Sequence, residues 1–405
     1  MDVHRDFAQV AVVEDGRLSD AGQIACRPEG LRAWATTLRP DDEVALEATG
    51  NTEAIVALIA PRVARVVVSN PMKTRAIAEA KVKTDKVDAR ILAQLLAADF
   101  LPPVWLPDEH TRQLRRIVAR RAHLVRQRTR LKNQVQAITA RNLLPRPPVS
   151  DLFGTRGRLW LQRQELPADE RRSVGALLRQ LDFHGEELAE VDRELATEGL
   201  SDPAVRRLMT VPGIDVAVAV SIRAAVGDFT RFASADKLVA YFGLNPSVHQ
   251  PAAHGRITKS GRAQVRGMLV EAAWVASRVP GPLRAFHQRI KARRGVQVAI
   301  VATARKMTVL CWHLIIKEQD YAFARPSLVA FKQRKLELQA GAPRAVARRG
   351  KGYDYNNREL RRHEREIIEQ QERAYATLVA HWQPHGPGRS TTAARRLRRP
   401  RRSQG

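Results

Sequence analysis

Asp85 and Asp88 open a helical stretch, KVKTDKVDARILAQLLAADF over residues 81–100, in which Ile91, Leu92, Leu95 and Leu96 recur at helical spacing. The spacing of three places both carboxylates on one helix face, with Cβ atoms roughly 5–6 Å apart. Among Lys81, Lys83, Lys86 and Arg90, the pair taken alone reads as a solvated, ion-paired first turn, where acids also suit the helix dipole. The sharper reading is half of a metal site, because like charges held together are costly unless a cation neutralises them. Two further acids are placed to join them. Asp2 heads the first strand, just before the alternating apolar run, and Glu47 lies at the C-terminal end of the third strand, in ALEATGN. Singly, Asp2 reads as a frayed terminal residue and Glu47 as a helix cap. Together, four carboxylates suit a pair of Mg²⁺ ions about 3.5–4 Å apart, which can stabilise the attacking and leaving oxygens of a phosphodiester. Mg²⁺ takes hard carboxylate oxygens and keeps several waters.

The elements that must position these acids read as α/β. DFAQVAVVED is apolar and β-branched, Asp15-Gly16 is a hairpin turn signal, and RLSDAGQIA returns as the partner strand. EGLRAWATTL reads as a helix, DEVALEATG as a short buried strand ending at Gly50, and TEAIVALIAP as a helix stopped by Pro61. RVARVVVSN reads as a strand broken by Asn70-Pro71, and the Asp85/Asp88 helix follows. A hairpin first and crossovers later predict a mixed sheet covered by helices over residues 1–101. Four acids in this order on such a sheet form an RNase H-like constellation.

Residues 102–200 differ. LPPVWLP reads as a linker. From His110 to Ser150 there are 11 Lys or Arg and no acid. Leu114, Ile117, Val118, Leu124, Val125, Leu131, Val135 and Ile138 make an apolar stripe. This predicts a long basic helix ending before PRPP. Exposed helices ordinarily mix charge signs, so Arg116, Arg120, Arg121, Arg126, Arg128, Arg130 and Lys132 are candidate nucleic-acid contacts. A second helix over about 169–198 carries Val174, Leu177, Leu178, Leu181, Leu188, Val191 and Leu195 near heptad spacing. The two predict an antiparallel hairpin or pairing with another subunit. Residues 201–335 form a third, mainly helical region. In it LMTVPGIDVAVAVSI reads either as a phosphate-presenting helix-hairpin-helix, with Asp215 where a glycine is usual, or as a plain helical hairpin. GRITKSGR adds Arg256, Lys259 and Arg262 as candidate contacts. Residues 336–405 read as a basic, partly disordered tail with one helix around 357–382 and seven arginines after Gly388.

The net charge of +27, from 69 Lys+Arg against 42 Asp+Glu, argues for a polyanionic partner, foremost nucleic acid. No uninterrupted apolar run approaches roughly 18 residues, so no membrane span is expected. MDVHRDF offers no secretory signal. Cys26 and Cys311, without a CxxC pair, argue against a disulfide framework and for a reducing cytoplasm.

MDVHRDFAQVAVVEDG, ALEATGNT, KTDKVDARILA, VPGI, YFGLNPSV and GRITKSGRAQVRGMLVEAAW, in that order over about residues 1–335, resemble the insertion-sequence-110 family of transposases. The resemblance implies a RuvC-like domain whose Asp-Glu-Asp-Asp tetrad is Asp2, Glu47, Asp85 and Asp88, a coiled-coil region and a C-terminal transposase domain. It also implies Mg²⁺ and a site-specific DNA recombinase moving its own element. Its expected partners are element ends, target DNA, an element-encoded guide RNA such as some members use, and further copies of the chain. Its expected place is the bacterial nucleoid. Two departures stand out. Met1 immediately precedes Asp2, where the family has an apolar strand start, so either the start codon is placed late or the strand is cut short, and a missing strand start would leave Asp2 poorly held. The family's nucleophilic serine, in a Gln-Ser-Gly context, falls on Gln250-Pro251-Ala252-Ala253-His254 and is missing. Ser247, read as a turn residue, and Ser260, read as a loop or cap residue, do not match it. A copy defective in strand exchange is therefore expected. A RuvC-like structure-specific nuclease and a non-catalytic DNA or RNA binder are the alternatives.

Overall fold

The computed structural model describes residues 1–77, 84–250, 253–343 and 354–381. Lys81, Lys83, Pro251 and the seven C-terminal arginines lie outside the described residues. The chain divides into two compact units, Met1–Asp108 and Glu109–Gly405.

In the first unit, β1 (Asp2–Val3), β2 (Phe7–Glu14) and β3 (Arg17–Ala25) run antiparallel. The β2–β3 turn is at Asp15-Gly16, with φ of 48° and 76°; such positive φ at both positions matches the twist of the flanking strands and is what Asp-Gly supplies. Then come α1 (Pro28–Ala35), β4 (Glu43–Glu47), α2 (Thr52–Ile59), β5 (Arg65–Ser69), α3 (Pro71–Ile77) and α4 (Asp85–Ala97). β4 and β5 pair in parallel, from Glu43 opposite Arg65 to Glu47 opposite Ser69. The Met1 ammonium donates to Ala45 O at 2.7 Å, which sets β1 beside β4 and ties the β1-β2-β3 sheet to the β4-β5 pair. Met1, Val3, Ala8, Val10, Val44, Leu46 and Val68 pack with Leu31 of α1 and with Ile55 and Ile59 of α2. Ala45 and Val67 pack on the opposite face with Leu92 of α4 and with Leu101. Strand alternation thus feeds two cores, one on each face of the sheet.

Two expectations change here. Asp2 heads the first strand, as expected, but that strand is only two residues long, with Asp2 opposite Gln9 of β2. The short start does not leave it loose, because Met1 is buried and hydrogen-bonded to β4. The supposed linker at 102–107 belongs to this unit. Val104 N donates to Val68 O at 2.7 Å and Asn70 N to Pro102 O at 3.1 Å, so the segment lines the β5 edge, where prolines are tolerated.

The second unit contains α5 (Glu109–Arg141), α6 (Thr155–Arg163), α7 (Ala168–Ser201), α8 (Pro203–Leu208), α9 (Val216–Val226) and α10 (Ala235–Tyr241). A hairpin of β6 (Pro246–Gln250) and β7 (Ala253–Ile257) follows, then α11 (Ala263–Ala276), α12 (Pro282–Ile316), α13 (Pro326–Gln339) and α14 (Arg358–His381). Leu114, Leu188, Leu195, Val205, Phe242, Leu269, Met307 and Leu336 share one core. The expected division near residue 200 therefore runs through a continuous interior.

α5 and α7 are antiparallel, as their ion pairs Arg120–Glu187, Arg121–Asp192 and Arg141–Glu170 require. α12 contains an 18-residue window of mean hydropathy 1.4, so composition alone would let it cross a membrane. That differs from the sequence expectation, which looked for an unbroken apolar run. Ile300, Ala304, Met307 and Cys311 of α12 are buried in the core, and Gly295 kinks the helix with φ 79°.

Within the region expected to be a tail, α14 answers to the helix expected around 357–382 and packs on α12 and α13. Glu372 of α14 accepts from Arg284 Nε at 2.8 Å and from Gly281 N at 3.2 Å, at the start of α12. Buried Glu364 accepts from Ser327 N at 2.9 Å, at the start of α13. Both acids sit at helix N-termini, where the dipole favours them.

Candidate active site and nucleic-acid interface

β1 and α4 bring acids together on the α4 face of the sheet. His4 Nε2 lies 3.1 Å from Asp2 Oδ2 and 3.3 Å from Asp85 Oδ1. Ligand atoms of Asp2, His4 and Asp85 all lie within 4.8 Å of one another, a spacing that could hold a metal ion. The Asp2 side chain is 17% exposed, against 39% for His4 and 46% for Asp85, so the group has a buried floor and an open rim. Burial raises the Asp2 carboxyl above its ordinary range; His4 opposes this, and the charges of Asp88 and Asp85 add to it. Asp88 is therefore within electrostatic reach of Asp2. Glu47 is half-buried at the end of β4, next to β1. By strand alternation it projects to the same face as Ala45, the face α4 covers.

Local sequence explains the placement of α4. Thr84 Oγ1 accepts from Val87 N at 3.3 Å and caps the helix, so Asp85 and Asp88 occupy its first turn. Arg90 forms two bonds to Asp20 of β3, at 2.8 and 2.6 Å, and ties the helix start to the sheet. Leu92 then enters the core.

Sequence reasoning missed His4, which was read only for the absence of a signal peptide. The signal was present, since a residue two after Asp2 on an extended segment shares its face. The donor set of carboxylates and one imidazole fits a divalent cation, and the like charges that raise Asp2 are what such an ion would relieve.

The basic helix divides into spent and free cations. Arg116 pairs with Glu109 at 2.8 Å, Arg120 with Glu187 at 2.8 Å and Arg121 with Asp192 at 2.6 Å. Lys132 lies 5.0 Å above the Phe153 ring, and Arg128 Nε is buried without a hydrogen-bond partner. Among the described residues, Arg126 and Arg130 are exposed and outside these pairs. The acids absent from α5 come from α7. A salt-bridged helix surface accounts for Arg116, Arg120 and Arg121 and not for Arg126 and Arg130.

In the β6–β7 region, Ser247 is a strand residue rather than the expected turn residue, and its Oγ donates to Arg256 O at 3.0 Å. Ser260 is exposed in the loop before α11. Lys259, with φ 55°, is exposed in the same loop. Arg262 Nε donates to Tyr241 OH at 2.8 Å.

The VPGI turn is closed rather than presented. A Cβ at Gly213 would collide with the Ala272 carbonyl of α11. Lys332 Nζ donates to Met209 O, Val211 O and Ile214 O at 2.7, 2.9 and 2.9 Å. Asp215 caps α9 by accepting from Val218 N at 3.0 Å. A carboxylate already takes the amide a phosphate would need, which supports the plain helical hairpin.

Comparison with known proteins agrees with the order of these elements. A DEDD transposase model of the IS110 type matches residues 1–141, and the model described as Transposase IS116/IS110/IS902 family matches residues 205–288. The chain is 32% identical over 197 residues to the candidate transposase y4qE of Sinorhizobium fredii, covering 48% of each chain, so it spans about half of that relative's length. It is 25% identical over 248 residues to the transposase for insertion sequence element IS1111A of Coxiella burnetii, covering 59% of this chain and 68% of the other. It is 25% identical over 268 residues to the pilin gene-inverting protein of Moraxella bovis, covering 64% and 74%.

Proposed function

The chain belongs to the IS110 family of insertion-sequence transposases, and from that premise we propose that it cleaves DNA strands at the ends of its own element in a Mg²⁺-dependent reaction. The observation that carries this is the approach of Asp2 and Asp85 to one set of ligand atoms, with Asp88 in electrostatic reach and Glu47 on the same sheet face. Asp2, Glu47, Asp85 and Asp88 would hold the cation, with His4 at the rim. A divalent ion bound there supplies charge stabilisation to the attacking and leaving oxygens of a phosphodiester. The protein's own part is to fix the carboxylates: β1 is pinned through Met1 to β4, and α4 is capped by Thr84 and tethered by Arg90. The free cations of α5 would neutralise backbone phosphates and set the register of the duplex. A guide RNA would meet the same surface.

A second reading has its own support. The β6–β7 segment lacks the serine that the family resemblance leads one to expect, which favours metal-dependent nicking, or binding alone, over complete strand exchange.

The test is nicking of a supercoiled plasmid that carries the genomic DNA flanking this chain's gene, in Mg²⁺ and in EDTA. Asp85→Asn and Glu47→Gln should each reduce nicking by at least 100-fold with DNA binding retained. Nicking that survives both substitutions and EDTA would remove the metal reading. Binding with no nicking by the unaltered chain at any Mg²⁺ concentration would leave the non-catalytic reading.

A further inference from the structure

Gln9 is the one polar residue in the AQVAVV portion of β2, and it is 1% exposed. It lies opposite Asp2 in the β1–β2 register, and cross-strand partners project from the same face. Val3, Ala8 and Val10 enter the core beneath α1 and α2, so Asp2 and Gln9 point to the α4 face. That face also receives Asp85. Gln9 Nε2 is buried there with no hydrogen-bond partner. A buried amide donor without an acceptor loses its hydration with no compensating bond, whereas Met or Leu would pack in a β-strand at no such cost. The cross-strand partner of Gln9 is Asp2, whose carboxylate Oδ2 is engaged by His4 at 3.1 Å.

We propose that Gln9 is a positioning residue for the acidic site: its side-chain amide donates to the Asp2 carboxylate when Asp2 turns from His4 to ligate a divalent cation. This rests on the metal reading above. A carboxylate that offers one oxygen to a cation keeps its orientation when a neighbour holds the other oxygen, and loss of such supporting contacts typically costs 10–100-fold in metal affinity. Gln9 itself touches neither metal nor DNA.

The test uses the full chain without DNA, so that nothing depends on turnover. Mn²⁺ affinity is measured by calorimetry, and melting temperature is measured in EDTA and in Mn²⁺, for the unaltered protein, Gln9→Met, Gln9→Leu and Asp2→Asn. Removal of an unsatisfied buried donor should leave Gln9→Met melting at or above the unaltered protein in EDTA. The same variant should bind Mn²⁺ about 10-fold or more weakly, and Asp2→Asn should lose the Mn²⁺ response. Unchanged Mn²⁺ affinity in both Gln9 variants overturns the proposal. So does a drop in EDTA melting that parallels the loss of affinity in both, since that is the behaviour of a packing residue. If the unaltered chain binds no Mn²⁺, the metal reading falls and the role of Gln9 falls with it, whereas a normal response in the unaltered chain isolates the failure to Gln9.

Discussion

Asp2 and Asp85, distant in sequence, reach the same imidazole nitrogen of His4, at 3.1 and 3.3 Å. The imidazole holds two carboxylates of a first-strand and first-helix-turn pair, where a cation could do the same. His4→Ala should therefore lower stability in EDTA by about 1 kcal/mol, since its hydrogen bond to Asp2 and its partly exposed ion pair with Asp85 are lost. Saturating Mn²⁺ should remove most of that deficit. Melting curves in the two buffers check this, and a deficit untouched by Mn²⁺ would show that His4 and the ion do not substitute for each other.

Lys332 offers a pH test remote from the acids. Burial pushes its ammonium from the ordinary 10.5 down to about 8, with Asp215 opposing. The folded state then binds the proton more weakly than the unfolded state. The cost is fully present below about pH 8 and is relieved as pH rises from 8 to 10.5, so stability rises with pH over that window. Measured against Lys332→Met at each pH, the unaltered protein should gain on the order of 3 kcal/mol across it. At pH 7, Lys332→Met should still destabilise, because Met209, Val211 and Ile214 would lose their donor. Denaturant titrations at pH 7, 8, 9 and 10 read both effects, and a flat difference would mean that the ammonium stays charged throughout.

The arginines of α5 should separate by role. Arg126→Ala with Arg130→Ala should weaken nucleic-acid binding and reduce its log–log salt slope by up to about 0.9 per lost duplex phosphate contact, at unchanged stability. Arg121→Ala should instead lower stability by about 1 kcal/mol, because its bond to Asp192 at 2.6 Å staples α5 to α7. Salt-dependent binding curves with melting curves on the same samples distinguish the two. An unchanged slope in the double variant would move the contact to the arginines beyond residue 388.

What the sequence made legible follows from range. The Asp15-Gly16 hairpin and the acids of α4 were readable because their signals are local: a dipeptide suited to positive φ, and a spacing of three on a capped helix. β1 was not, since two residues carry no periodicity. Segment 102–107 looked like a linker because prolines mask the few hydrogen bonds that lay it along β5. The acid-free run of α5 suggested an open basic face because its counter-charges, Glu170, Glu187 and Asp192, lie on another helix. His4 and Gln9 were visible only as polar residues interrupting apolar extended sequence, and that pattern acquires meaning once Asp2 and Asp85 are seen to meet.

The missing serine can be tested at a tolerant point of the fold. β6 ends at Gln250 and β7 begins at Ala253, so an insertion after Gln250 enters the connection between two hairpin strands, where added length disturbs the body of a unit least. In a serine recombinase the hydroxyl oxygen attacks phosphorus and the protein becomes covalently joined to DNA; the acidic cluster cannot supply that bond. Proline at 251 has no hydroxyl. Ser247 already donates to Arg256 O within the hairpin. A short Ser-Gly insertion after Gln250 should produce a protein–DNA adduct that survives a denaturing gel, with element DNA and Mg²⁺ present. The unaltered chain should give none. An adduct formed by the unaltered chain and abolished by Ser260→Ala or Ser247→Ala would place the nucleophile at that residue and refute the deletion.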